Sequence, residues 1–136
     1  MTSRRLFFPL ILLTSVLLSG CQLPTATPTV QESSVGSWYN QGNQYSITIN
    51  YPSPGGQETD KFNLTLEKGV ITAASVEVFT DIDASKVYQK QFAATLPGLI
   101  IGKRLADIQA LDVISGASLT TAAFNDALKK LQTKLQ

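Results

Sequence analysis

The chain has 136 residues, with 11 Lys and Arg against 10 Asp and Glu, no histidine and one cysteine. So even a charge balance leaves no electrostatic footprint for nucleic acid, and the absence of histidine excludes Ser-His catalysis and most zinc sites. A single cysteine excludes an internal disulfide, a Cys-x-x-Cys redox pair and a c-type haem attachment.

The first twenty residues carry Arg4 and Arg5 and then the apolar run LFFPLILLTSVLL. A basic start, a short apolar stretch and a small-residue cleavage site predict an export signal over 1–20. The run is too short to span a bilayer comfortably. Leu18-Ser19-Gly20-Cys21 resembles the lipobox of bacterial lipoproteins. The resemblance implies that Cys21 receives a diacylglyceryl group on its sulfur and that the chain is cut just before it. Gln22, where an Asp would retain the protein at the inner membrane, implies outer-membrane sorting in a two-membrane bacterium. Loss of Arg4 and Arg5 takes the formal net charge from +1 to −1. Residues 22–35, QLPTATPTVQESSV, are rich in Pro, Thr and Ser and predict, with Cys21, a flexible tether over 21–35. One small domain is expected over 36–136.

Within that domain Tyr45, Ile47, Ile49 and Tyr51 alternate with polar neighbours, predicting a half-buried strand over 44–51. PSPGGQ (52–57) reads as a turn, and Phe62, Leu64 and Leu66 predict a second strand over 61–67. Lys68-Gly69 is a tight-turn pair. A third strand is expected over 70–79, with Val70, Thr72, Ala74, Val76 and Val78 on one face. The period then changes. Val87, Phe92 and Leu96 suggest a helix over 84–96, ended by Pro97-Gly98, and LIIGKRLADI (99–108) suggests an apolar piece and a helical turn. The clearest helix is 119–135, with Phe124, Ala127, Leu128, Leu131 and Leu135 in a stripe and lysines near its C-terminal end. Strands followed by helices predict an α+β fold, helices packed on a small antiparallel sheet.

DVISGASLTTAAF (112–124) stands just before that last helix. Viewed locally, Ser118 or Thr120 is suited to cap the helix, a role worth about 1 kcal/mol, and Gly116 to permit a turn. The run Asp112-Val113-Ile114-Ser115-Gly116-Ala117-Ser118-Leu119-Thr120 also resembles the flavinylation motif of the FMN-binding domain family. That family includes the periplasmic flavin subunits of sodium-translocating NADH:quinone reductase and many small exported proteins. Its pattern is Asp, two variable residues, Ser or Thr, usually Gly, then Ala and an acceptor Thr or Ser. The resemblance implies covalent FMN on Ser118 through a phosphodiester, with Asp112, Ser115, Gly116 and Ala117 as the recognition frame and Thr120 beside it. Ser118 stands where Thr is commoner. GSWYNQG (36–42), LEKGVITAASVEV (66–78) and LTTAAFNDALKKL (119–131) extend the resemblance loosely over most of the domain.

The expected protein is therefore a lipid-anchored, extracytoplasmic flavoprotein that acts in electron transfer. Its partners are a flavin transferase for maturation, the membrane through Cys21, and redox proteins. Trp38, Tyr39 and the Leu99–Ile101 piece offer themselves as a shelf for the flavin ring, or as core. Three other readings remain open at this stage. These are a flavin-dependent reductase of a small acceptor, a binding lipoprotein of the same fold without flavin, and a hydrolase with Ser118 and Lys103 or Lys129 as a dyad. The last lacks the Gly-x-Ser-x-Gly elbow.

Overall fold

The computed structural model describes residues 34–136; the expected signal, Cys21 and the tether up to residue 33 lie outside the described residues. The architecture is α+β: an antiparallel sheet covered on one face by two helices. Its strands are β1 (Ser34–Val35), β2 (Tyr39–Gln41), β3 (Gln44–Ser53), β4 (Gly56–Glu67) and β5 (Val70–Val78). Helix α1 spans Asp83–Ile100, a 3-10 turn covers Leu105–Asp107, and α2 spans Ser118–Lys134. β3, β4 and β5 form a meander, while β1 and β2 both pair with β3 along its other edge. Ser34 and Val35, within the segment read as tether, thus pair with Asn50 and Ile49.

The meander is longer than the apolar alternation suggests. β3 and β4 stay paired out to Ser53 and Gly56, leaving only Pro54-Gly55 as the loop. On the inward face of β4, Glu58, Asp60, Phe62, Leu64 and Leu66 are all buried. The strand thus begins at Gly56 rather than at residue 61, where the apolar alternation starts, with two carboxylates at its first buried inward positions. The Lys68-Gly69 turn is as expected, with positive φ at both residues (51° and 80°), as a two-residue hairpin of the primed type requires. β5 does not hold a single alternation. A register shift at Thr65/Leu66 pairs Thr65 with Ala73 and Leu66 with Ile71. Ile71 is therefore fully buried and Thr72 exposed, while Ala74, Val76 and Val78 keep the expected face.

Helix α1 runs through Pro97 rather than ending there. Proline's fixed φ suits a helix, and in the last turn only one N–H bond is lost. Pro97 O accepts from Ile101 N–H at 3.0 Å, and burial of Leu96 and Ile100 holds the extra turn on the sheet. The inward stripe of α1 is Gln89, Phe92, Leu96 and Ile100; Val87, expected inside, is exposed. The stripe of α2 is as expected for Phe124, Ala127, Leu128 and Leu131, with Leu135 at the frayed end exposed. Phe62, Phe92 and Phe124, from β4, α1 and α2, meet with ring centroids 5.1–6.1 Å apart. This cluster joins the sheet to both helices.

Between the helices the chain returns along β5. Ile71 N–H donates to Lys103 O, Gly102 N–H to Ile71 O, and Leu105 N–H to Gly69 O. The start of that edge strand is thereby covered. Farther along, Glu77 pairs with Lys61 at 3.0 Å on the outer face. No described helix is long and apolar enough to cross a membrane.

Candidate functional site

The loop before α2 is held by the helix it leads into. Asn125 Oδ1 accepts from Leu111 N–H and Asn125 Nδ2 donates to Leu111 O, both at 2.9 Å. Thr121 Oγ1 accepts from Ile114 N–H (3.1 Å) and donates to Ala117 O (2.8 Å). Gln132 Nε2 donates to the carbonyls of Leu105 and Ile108. Thr121, Asn125 and Gln132 share one side of α2 at helical spacing, and fix the path of the loop by its backbone.

The turn at the loop's end is of the same primed type as the Lys68-Gly69 hairpin. Ser115 and Gly116 have φ of 50° and 75°, and Ala117 N–H closes the turn on Ile114 O at 2.9 Å. A Cβ on Gly116 would lie 3.3 Å from the Tyr88 ring, so glycine meets both a backbone and a space requirement. Ser115 Oγ faces Thr95 Oγ1 of α1 at 3.1 Å, which ties the turn across to the other helix.

Ala117 takes the N-cap position of α2, without a side-chain capping bond. Neither Ser118 nor Thr120 caps the helix. Ser118, its first residue, is exposed, and its hydroxyl makes no hydrogen bond among the described residues. Thr120 is buried, its Oγ1 2.8 Å from Tyr51 Oη. Asp112 is exposed, with no ion pair or side-chain hydrogen bond among the described residues, so it does not cap the loop.

Ser118 opens onto a cavity of about 370 Å³, within the size range of small-molecule sites. Pro54 and Gly55 at the β3–β4 hairpin tip form one wall, Ile82, Tyr88 and Gln89 of the α1 region another, and the Gly116–Thr120 segment a third. Tyr51 and Glu58 reach it from the sheet. First-turn residues of α1 (Ala84, Ser85) and of α2 (Ser118, Leu119, Thr120) line this space, and helix N-termini favour negative charge.

Behind the cavity lies a buried polar network. Tyr51 Oη donates to Asp60 Oδ2 at 2.6 Å and accepts from Gln89 Nε2 at 3.0 Å. Ser53 Oγ donates to Glu58 Oε1 at 3.1 Å. Burial raises the pKa of Asp60 to about 6; the Tyr51 bond opposes this and the charge of Glu58 adds to it. Burial likewise raises the Tyr51 pKa, reinforced by its bond to Asp60. Burial also works against ionised Glu58, but the polar groups of Ser85, Thr80, Ser53 and Gln89 outweigh it, and its pKa falls below the ordinary carboxyl value. Of these, only the Ser53 contact has hydrogen-bond geometry. Glu58 Oε2, Asp60 Oδ1 and Gln89 Oε1 remain buried without a partner. Glu58, Asp60, Gln89 and Tyr51 were not among the sequence-derived site residues. The available signal was the period of two, which extends from Leu66 back through Phe62 to Asp60 and Glu58, and a glutamine in the apolar stripe of α1.

The proposed aromatic shelf is elsewhere. Trp38 is buried under α2, its Nε1 donating to Ala127 O at 2.8 Å. Tyr39 lies on an edge strand and lines a depression on the outer face with Lys61 and Glu77, and the Leu99–Ile101 piece is at the far end of α1. None of them lines the Ser118 cavity; Ile82, Tyr88 and Leu119 supply its apolar surface instead. Neither Lys103 nor Lys129 lines it, so the serine–lysine dyad has no geometric support. Among the described residues there is no cluster of three or more His, Cys, Asp or Glu suited to a metal. Comparisons with protein-family models, curated proteins and solved structures found no match.

Proposed function

We propose that the protein is an extracytoplasmic flavoprotein that carries FMN covalently on Ser118 and passes electrons between partner proteins. The observation that carries this reading is the Ser118 hydroxyl. It is exposed, has no part in capping its own helix, and follows directly on a small-residue turn in the wall of a ligand-sized cavity. A separate transferase needs that access. In the transfer the Ser118 oxygen forms a bond to phosphorus, the activated flavin donor loses its P–O bond to the leaving group, and the hydroxyl proton departs. The phosphodiester retains one negative charge. The first-turn N–H groups of α2 lack intrahelical acceptors and suit that charge.

The residues present fit such a group. Ile82, Tyr88 and Leu119 offer an apolar lining for a planar ring, and Ser53 and Ser85, which also line the cavity, offer hydroxyl groups. When bound, the flavin supplies the redox chemistry; the chain attaches, orients and tunes it. Lipid anchoring through Cys21 and a tether over the following residues would keep the domain at a membrane surface within reach of a donor. An electron carrier fits this chain better than a reductase with its own substrate.

The test is the intact mass of the exported protein produced alongside a flavin transferase. A gain equal to FMN minus one water, absent in Ser118→Ala, is the expected result. No gain, with a transferase proven on another substrate, would sink the covalent reading and leave a binding protein of the same fold.

A further inference from the structure

The even charge of the chain hides an asymmetry between its two ends. At the end opposite the Ser118 cavity three pieces are tied together. Leu105 N–H donates to Gly69 O in the β4–β5 turn, and Gln132 Nε2 of α2 donates to Leu105 O. Each piece carries exposed cations: Lys68 in the turn, Lys103 and Arg104 in the returning segment, and Lys129, Lys130 and Lys134 in the last two turns of α2. Three exposed carboxylates stand against these six, Glu67, Asp107 and Asp126. Arg104 meets Asp107 at 4.0 Å, while among the described residues Lys68, Lys103, Lys129 and Lys134 pair with no carboxylate. The cavity end is different: Asp81 and Asp83 are exposed there, and Lys86 is paired with Asp83 at 3.7 Å.

Exposed aliphatic side chains stand among the cations. Leu99 and Ile101 close α1 just before Lys103, and Leu135 follows Lys134. Cations alone are an ordinary solvated surface. Cations set around exposed aliphatics have the composition of an element that lies on an anionic membrane. We infer that this end of the domain docks on a bilayer bearing anionic lipids, its lysines and Arg104 meeting headgroup phosphates and Leu99, Ile101 and Leu135 entering the acyl boundary. The route of the chain is compatible. Ser34 pairs with Asn50, whose β4 neighbour is Thr59. From Thr59 to Glu67, β4 covers about 27 Å toward the basic end. The stretch 22–33 can reach at most about 40 Å, so a lipid on Cys21 and the basic end can meet the same membrane. The Ser118 cavity then faces away from the bilayer, toward partners in solution.

The test uses the chain from Gln22 onward, which holds every described residue and lacks Cys21. Its outcome is therefore separate from lipid attachment and from flavin loading. Binding is read by co-sedimentation with vesicles of phosphatidylcholine alone and of phosphatidylcholine with about 30% phosphatidylglycerol. Partition onto the anionic vesicles is expected to be at least about tenfold the stronger, and to weaken as salt is raised. Lys103→Gln combined with Lys129→Gln is expected to weaken it by about tenfold or more, at roughly fivefold per cation. Lys86→Gln combined with Lys90→Gln, outside this end, is expected to change it by less than about twofold. Ile101→Ser is expected to weaken it by about fivefold; circular dichroism checks the fold of each variant. Absence of binding to anionic vesicles overturns the inference, as does an equal loss in the two lysine pairs. Binding to soluble polyglutamate as strong as to the vesicles, with no effect of Ile101→Ser on either, overturns it in favour of an acidic protein partner.

Discussion

The two ends of strand β4 point the same face at the same pair of helices and do opposite things there. From Phe62 to Leu66 the inward side chains are apolar, and Phe62 meets Phe92 and Phe124 in a closed cluster. Two residues earlier, Asp60 and Glu58 enter an equally buried space that holds Tyr51, Gln89 and Thr120. The first region is filled by rings and has no unpaired polar atom. The second retains three. The sheet is thus a single scaffold whose one half supplies cohesion and whose other half keeps polar atoms in reserve beside a cavity.

Substitutions can break that contrast. Phe62→Ala removes the ring common to both helix contacts and should cost about 3–5 kcal/mol in denaturant unfolding. A loss below about 1 kcal/mol would mean that the cluster is not the centre of cohesion. Asp60→Asn should act in the opposite direction at neutral pH. Asp60 keeps its proton up to about pH 6 when folded, against 3.8 for the ordinary group. Its contribution is complete below about pH 4 and is lost as pH rises through 6, a fall of up to roughly 3 kcal/mol. Glu58 has the opposite sign, its lowered pKa contributing stability that is lost as pH falls below the ordinary value of 4.5. Melting temperatures across pH 4.5 to 7 should therefore decline in the wild type and stay nearly flat in Asp60→Asn. A wild-type profile that rises over this window would contradict the assignment.

Smaller effects sharpen the boundary between the regions. Gly116→Ala forces a side chain into positive φ against Tyr88 and should destabilise by about 1–2 kcal/mol. On the proposed flavoprotein reading it should also lower the mass gain at Ser118 more than any surface substitution does, read by intact mass. Asn125→Ala removes both bonds to Leu111 and should cost about 1 kcal/mol. Hydrogen exchange should speed up at residues 111–117 and not in the β3–β4 hairpin; uniform acceleration would count against a local clamp.

The cohesive half was legible in the sequence. Alternation in 44–51 and 61–67, and the stripe from Phe124 to Leu131, name half of the buried apolar residues because burial and periodicity express the same requirement. The polar half was less so. A carboxylate at an inward position reads as a strand end, and the cost of burying Glu58 and Asp60 is met in part by Ser53 and Tyr51, which donate to them across the β3–β4 hairpin. Pro97 misled for a related reason, since the burial of Ile100 a turn later is a tertiary fact. Within the motif, Ser115-Gly116 as a turn was readable from residue type. That Ser118 is left out of capping was not, because it depends on Thr121 and Asn125 gripping the loop instead.

The way the chain doubles back after α1 bears on how the molecule behaves in a crowd. A bare outer strand is a template on which a second copy can extend the sheet. Here residues 102–105 occupy the first part of that template, where Gly69 and Ile71 have their hydrogen bonds spent within the molecule. Along the rest, Glu77 puts a charged side chain on the edge strand, which disfavours strand addition there. The returning segment therefore protects the folded protein from fibre-like association as well as connecting its two helices.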